Sequence, residues 1–493
     1  MSAATKIAAA STSALHAITW RTPRFLVMLG LFLFYYFWIV QPGMVRGVGD
    51  TDYYNLLTDA FLAGQTSLLE GPSPELLSLP DPYDSAANQP YRKHDFSLYK
   101  GRYYLYFGAT PAVTLFAPFR LLTTTALPQR LGALYFAFLA FVVACLLLKM
   151  LLAELLPRTR RWMYYTACCV LGFVNSFPHL LRRPAVYEVA ISAGQFYMMC
   201  AIYVVCAAVL KKGWATGRRL LLGGVALGLA FGARPTMLFV LPVAALLLVF
   251  PVELSTHQRR RNLAVFAAGF ALIAGCVAIY NWNRFDSPFQ FGNTLQLAAF
   301  DSKKIKYFSA ERVPANLWFY VACPPAIKAK FPFVFLEPDP PPYGLPPNFL
   351  GPEDVEGILF ACPIVLILPF LTRIYRGNRR REFLAITCSM AAAGFVLMVF
   401  TASLAATMRY LADFSPLIAI ASLLGWVALL DSSRRRRLAL AGFLVLAGLG
   451  VANQWFIAFT GYYNTFQSNF PEQFNVLETI FSPVAGVLGA ILN

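Results

Sequence analysis

The stretch Arg24-Phe-Leu-Val-Met-Leu-Gly-Leu-Phe-Leu-Phe-Tyr-Tyr-Phe-Trp-Ile-Val40 carries no charge after its first residue, and Gly47-Val-Gly-Asp-Thr-Asp-Tyr-Tyr-Asn55 follows it closely. The apolar run approaches the roughly 20 residues that a helix needs to cross a bilayer core. Asp50 and Asp52 therefore stand at the mouth of a membrane span. Beyond them Leu56, Leu57, Ala60 and Phe61 recur at helical spacing. That spacing predicts a helix over 53–64 lying along the membrane surface. Carboxylates held at a lipid–water boundary suit chemistry on a lipid-borne substrate, and ionisable groups near membrane depth are candidates for function.

The rest of the chain has the same character. Of 493 residues, 58% are hydrophobic and only 13% charged, about half the ~25% of soluble domains. The class is an all-α polytopic membrane protein. The net charge of +17 does not point to nucleic acid. It sits in short clusters between apolar runs, at Arg158–Arg161, Lys211–Arg219, Arg259–Arg261, Arg373–Arg381 and Arg434–Arg437, as the positive-inside bias produces at cytoplasmic loops. Of the 24 acids, eight lie between Met44 and Tyr103 and eight between Asn281 and Glu356, which places those two long loops on the opposite side. The nine cysteines show no paired spacing, and the four histidines are scattered, so neither a disulfide framework nor a His-rich metal site is read. The first apolar run lacks a small-residue cleavage site and is taken as a retained anchor.

Taken in order, the chain predicts about eleven transmembrane helices, over 24–40, 131–152, 162–181, 187–210, 220–233, 235–250, 262–280, 357–371, 383–405, 410–430 and 438–459. The whole chain, 1–493, reads as a single membrane-embedded domain. It has outer (periplasmic) loops at 44–103 and 281–356, a cytoplasmic N-terminus and a periplasmic tail over 460–493. The segment 104–122 is apolar but broken by Gly108, Pro111 and Pro118. Treated as a re-entrant or juxtamembrane element, it leaves all five basic clusters on the cytoplasmic side. No repeat of 20–50 residues is visible.

On this topology the outer face gathers Asp50, Asp52, Lys93, His94, Asp95, Lys100, Arg102, Arg182, Arg183, Glu188, Arg234, Arg284 and Arg409. Such a mixed set can transfer a group from a lipid phosphate. A carboxylate takes a proton from an acceptor hydroxyl, and cations or a divalent ion hold the leaving phosphate. Simpler roles stand beside these. Arg409 and Asp413, four apart on one helix face, are placed to pair with each other. Tyr103, Tyr104 and Tyr106 fit an interfacial aromatic belt, and Arg182 and Arg183 fit headgroup anchors.

Several of these residues carry a resemblance: Asp50 and Asp52 after the first span, the helix that follows, Tyr103-Tyr-Leu-Tyr-Phe-Gly108 to Pro111, Arg234-Pro235, Asn283-Arg-Phe-Asp-Ser-Pro-Phe-Gln-Phe-Gly292 and Arg409-Tyr410. With them the chain resembles the C-type superfamily of membrane glycosyltransferases (GT-C). Within it, the chain is similar to the branch of protein O-mannosyltransferases and lipid A aminoarabinose transferases. The resemblance implies a GT-C-like fold in a bacterial inner (plasma) membrane. It also implies a polyprenyl-phosphate-linked sugar donor, and an envelope glycan, lipid or protein as acceptor on the periplasmic face. Asp50 is then the base or the ligand of a divalent metal, magnesium or manganese, with Asp52 as its partner. Arg234, Arg409, Lys100, Arg102, His94, Asp95 and Glu188 are candidates for holding substrate and phosphate. Where the aminoarabinose branch carries Lys-Pro-Pro, this chain reads Gly108-Ala-Thr-Pro111. The rival class is a multi-span transporter of a small molecule or lipid, which would bind near the bilayer midplane between repeated halves.

Overall fold

The computed structural model describes residues 23–40 and 52–492, except 212, 215, 251–253, 305, 347, 348, 350 and 461–464. Asp50 lies outside the described residues. Seven helices are long and apolar enough to cross a membrane: Pro23–Val40, Gln129–Leu155, Val186–Leu210, Thr256–Phe285, Arg380–Ala402, Met408–Ser432 and Arg436–Thr460. They become eight if Pro471–Ile480 and Ser482–Ile491, bent by 64°, count as one broken span. The other four expected spans are helical but shorter or interrupted. They fall on Arg161–Val174 with Phe177–Leu180, on Gly217–Ala233, on Pro235–Val249 and on Pro363–Ile374. Proline is the local cause in three of them. Pro178 sits in the first turn of Phe177–Leu180, and Pro235 and Pro363 each open a 3-10 helix, the second with Pro369 inside it. A residue without an N–H and with φ fixed near −65° restarts or tightens a helix rather than continuing it.

Burial sorts the helices into centre and periphery. The apolar stretch of Met408–Ser432 is 94% buried, that of Thr256–Phe285 only 11%, so the first is the axis of the bundle and the second offers most of its surface to lipid. Pro23–Val40 is two-sided. Phe25, Phe32, Tyr36 and Ile39 pack inward while Leu26, Val27, Leu31 and Phe34 face out. Tyr36 donates to the Gly172 carbonyl at 2.6 Å and accepts from Asn175 Nδ2 at 2.9 Å, which satisfies a hydroxyl that apolar surroundings would penalise. Gly217–Ala233 and Thr256–Phe285 touch backbone to backbone. A Cβ on Gly224 would lie 1.9 Å from the Phe266 oxygen, and one on Gly269 2.2 Å from the Leu221 oxygen. Small residues permit this approach where no hydrophobic effect draws helices together.

The segments 52–105 and 281–356 hold the only sheet structure among the described residues, two two-stranded hairpins. In the first, Phe96–Tyr99 pairs antiparallel with Arg102–Leu105. Lys100 and Gly101 turn it with φ of 46° and 71°, the positive pair that a two-residue hairpin of right-handed twist requires. Arg102–Leu105 is thus a strand, and the helical part of the expected re-entrant segment is Ala112–Thr123, opened by a π turn over Ala112–Phe116. Twelve residues rise about 18 Å, short of a ~30 Å hydrocarbon core.

The central helix contains Pro416. Its missing N–H strands the Ala412 carbonyl one turn earlier, and the side chain of buried Gln195 supplies the lost donor across the helix interface. Gln195→Leu should therefore destabilise the protein by about 1–3 kcal/mol, the cost of an unsatisfied buried carbonyl. In a Pro416→Ala background, where the helix can close its own bond, the same change should cost clearly less. Thermal unfolding of the four proteins in one detergent measures this; equal costs in both backgrounds would contradict it.

Candidate functional site

Two arginines near one end of the central helix, Arg409 buried and Arg234 partly so, organise the polar groups there. Arg234 caps the Gly217–Ala233 helix with extended backbone, φ −149° and ψ 106°, and this turns its side chain toward Met408–Ser432. There Nε meets Asp413 Oδ1 and Oδ2 at 2.7 Å each, and Nη2 meets Oδ2 at 2.5 Å. Asp413 is fully buried. The guanidinium lies over the Tyr410 ring at 4.8 Å. Asp413 therefore pairs with Arg234 and not with Arg409, contrary to the simple reading of their four-residue spacing. The partner 179 positions away makes a two-pronged contact that the neighbour on the same helix does not.

Arg409 takes a different carboxylate. Its Nη2 lies 2.7 and 2.9 Å from the two oxygens of Glu353, and Thr407 Oγ1 donates to the same group at 2.9 Å. The backbone delivers Glu353. Its N–H bonds the Ala406 carbonyl at 3.0 Å, and the Met408 N–H bonds the Asp354 carbonyl at 2.8 Å, so the end of the second loop is laced to the start of the central helix. Arg409 also lies over the Tyr187 ring at 4.5 Å. The Tyr187 hydroxyl donates to Asp95 Oδ2 at 3.0 Å and accepts from Tyr106 at 2.8 Å. Gln296 donates to the other Asp95 oxygen. Asp95 is buried and has φ of 63°. A non-glycine residue in this left-handed region is uncommon, and backbone strain of this kind gathers at functional sites. His94 Nε2 stands 3.6 Å from Asp95 Oδ1 on the exposed side.

Glu188 is fully buried in the first turn of Val186–Leu210, where Oε2 accepts the Ala185 N–H at 3.1 Å. Its Oε1 has no hydrogen-bond partner among the described residues; the charges of Arg409 and Arg183 act on it.

Asp52 is the N-cap of the helix Tyr53–Leu62, and the charged groups that act on it are Asp59 and Arg120. One oxygen accepts from Asn55 Nδ2, and Oδ1 is buried with no hydrogen-bond partner among the described residues. Burial pushes its pKa up to about 6; the Asn55 bond and the Arg120 charge pull it down, and Asp59 adds to the rise. The next residue, Tyr53, donates to the His94 carbonyl at 2.8 Å. Tyr54 reaches the Gly108 carbonyl at 3.4 Å. Gly108 itself rests on the turn before Arg234, where a Cβ would come 2.0 Å from the Gly232 oxygen. Asp52, Asp95 and Arg234 thus belong to elements in direct contact.

Two expected members are elsewhere. Lys100 is the exposed tip of the hairpin, 2.6 Å from Asp286 Oδ2, and Tyr99 donates to the same oxygen at 2.8 Å. Arg102 faces solvent on the returning strand. The tip stands about 13 Å along the strand from Asp95, at ~3.3 Å per residue. Arg182 and Arg284, also expected on the outer face, are buried. Arg182 donates to the carbonyls of Ala458 and Ile39. Arg284 donates to the Leu105 carbonyl at 2.5 Å. Sequence reasoning missed Glu353. The signal was the acidic Glu353-Asp354-Val-Glu356 directly before an apolar run, the mirror of Asp50 and Asp52 after one. Among the described residues no three His, Cys, Asp or Glu side chains are grouped to hold a metal ion; Asp50, the expected ligand, lies outside them.

No model of a known protein family matches the chain, and no curated protein matches it. Among solved structures it is similar to the Archaeoglobus fulgidus oligosaccharyltransferase in its apo form, over 90% of this chain and 55% of that one, at 14% identity and a TM-score of 0.46. It is also similar to ArnT from Cupriavidus metallidurans bound to undecaprenyl phosphate, over 87% of this chain and 64% of that one, at 13% identity and a TM-score of 0.43. The chain thus spans between half and two thirds of the length of these neighbours, and at such identities neither assigns a residue in it.

Asp413→Asn leaves Arg234 buried against a neutral amide. Loss of one member of a buried pair costs about 3–5 kcal/mol, whereas replacing both with apolar side chains of similar volume is often neutral. The expected result in thermal unfolding is a large fall for Asp413→Asn and substantial recovery for Arg234→Met with Asp413→Leu. A double variant no more stable than the single one would contradict this account of the pair.

Proposed function

We propose that this protein is a membrane glycosyltransferase, of the hexosyl or pentosyl class. In this reading it moves a sugar from a polyprenyl-phosphate donor to a glycan, lipid or protein acceptor of the cell envelope, on the periplasmic face of the inner membrane. The observation that carries the reading is the conjunction at one end of the bundle. Two guanidiniums, Arg234 and Arg409, are held among aromatic rings, and the helix Tyr53–Leu62, capped by Asp52 with its pKa raised to about 6, is joined to the turn before Arg234 through Tyr54 and Gly108. The C-type resemblance of the sequence motifs points to the same class, and the ArnT neighbour carries a polyprenyl phosphate of the kind invoked.

The chemistry follows from these groups. The acceptor oxygen attacks the anomeric carbon as its proton passes to a carboxylate at the 50–52 position. The bond from that carbon to the phosphate oxygen breaks, and the electron pair leaves with the polyprenyl phosphate. Fixed cations stabilise this growing negative charge where water is scarce, and a phosphate is a weak enough base to leave without a strong general acid. Arg409 and Arg234 are the proposed holders. Their carboxylate partners keep the guanidiniums in place before the lipid arrives, and they share them with the phosphate once it has docked. Asp50 acts as the base, or as ligand of a divalent cation with Asp52 as its neighbour.

Transfer from a radiolabelled polyprenyl-phosphate sugar by the purified full-length protein tests the reading. Asp50→Asn should lower transfer by at least about 100-fold, the usual scale for losing a general base, with membrane insertion unchanged. If Asp52 shares the proton, the rate should fall as pH drops through about 6, where its carboxylate is protonated. Asp52→Asn should then remove that acid limb. Full activity in both variants would contradict the proposal.

A further inference from the structure

At the other end of the central helix, a cavity of about 440 Å³ opens between its last turn and the segment Pro363–Ile374. Ile367, Phe370 and Leu429 line it with apolar surface, and Arg373, Arg376 and Ser432 line it with polar groups. The neighbouring arginines are consumed by the protein. Arg379 reaches Glu154 Oε2 at 3.2 Å and the Leu210 carbonyl at 3.1 Å, and Arg380 donates to the carbonyls of Thr372 at 2.8 Å and Tyr375 at 3.2 Å. Arg373 and Arg376, both exposed, make no ion pair or side-chain hydrogen bond among the described residues. Ser432 Oγ already donates to the Ala428 carbonyl at 2.8 Å, so it faces a ligand as an acceptor.

Position and charge select the occupant. The 25-residue helix Met408–Ser432 rises about 37 Å, more than the ~30 Å hydrocarbon core. With Arg409 at one interface, Ser432 stands among the headgroups of the other. The basic clusters mark that side as cytoplasmic. We propose that the cavity binds an anionic phospholipid with a hydroxyl-bearing headgroup, such as phosphatidylglycerol, from the leaflet opposite the Arg409 face. Arg373 and Arg376 hold the phosphate as charge-assisted donors. Ser432 accepts from the headgroup hydroxyl, and an acyl chain covers Ile367, Phe370 and Leu429. Basic pockets between spans on the cytoplasmic side recognise anionic headgroups in this way. The site is independent of the glycosyl-transfer reading, which concerns the other end of the bundle.

The test is native mass spectrometry of the purified full-length protein with equimolar phosphatidylglycerol and phosphatidylcholine. Retention of phosphatidylglycerol is expected in the wild type. R373A with R376A should lower it by about fivefold per arginine, the effect of ~1 kcal/mol for each basic residue near an anionic surface. R435A with R437A removes the same charge from the same end and should leave retention unchanged. Equal loss in both double variants, no loss in the first, or displacement of the lipid by millimolar inorganic phosphate would each overturn the proposal. A photoreactive phosphatidylglycerol on the wild-type protein gives a reading free of any folding defect. Labelling is expected on the peptides carrying Phe370 and Leu429, and labelling confined to other spans would overturn the site.

Discussion

The ion pair between Arg234 and Asp413 ties the end of one short helix to the most deeply buried helix of the bundle. An arginine at that depth is costly unless it is paired, and the local backbone follows from the need. The Gly217–Ala233 helix stops at Arg234 in extended conformation, Pro235 restarts the chain as a 3-10 turn, and the side chain is delivered to a carboxylate on another element. Gly108 then packs its backbone against the same turn, and Tyr54 of the helix Tyr53–Leu62 bonds to Gly108. A chain of contacts thus runs from the buried pair out to Asp52. Such a pair contributes little net stability, because desolvation of two charges offsets most of their attraction. Its contribution is positional.

The same logic repeats across the polar end of the bundle. Arg409 is fixed by Glu353, Asp95 by Tyr187 and Gln296, and Tyr187 by the cation above its ring. Each member takes its orientation from a partner on a different element. The first loop, the second loop and three helices must all be in place before the cluster exists. That dependence suits a site needing two cations and a near-neutral carboxyl group held apart yet pre-oriented. Arginine is the residue that makes such planar, two-pronged contacts with carboxylates and phosphates alike.

Much of the architecture was legible because hydrophobic runs and charge asymmetry are local signals. All the apolar segments assigned as spans are helical, and Asp95, Arg234 and Arg409 do belong to one assembly. What the pattern did not show was length and partnership. Hydropathy is blind to the proline that turns 235–240 and 363–370 into 3-10 helix. Sequence spacing favoured Arg409 with Asp413, while the true partners lie 179 and 56 positions apart. Charge alone assigns Lys100 and Arg102 to the site. The Lys100-Gly101 dipeptide between Phe96-Ser-Leu-Tyr and Arg-Tyr-Tyr-Leu was the hairpin signal that sends them to an exposed tip. Glu188 stands at the start of its helix as the hydropathy pattern predicts, but its complete burial is not legible from a position beside an apolar run.

The most direct test of the account is a cryo-electron microscopy structure of the protein in a lipid nanodisc with undecaprenyl phosphate. The account predicts density for the lipid phosphate within hydrogen-bonding distance of Arg409 or Arg234, at the end of the bundle that carries Asp95. A phosphate bound away from both arginines, or one entering from the end of the bundle that carries Arg373 and Ser432, would contradict it.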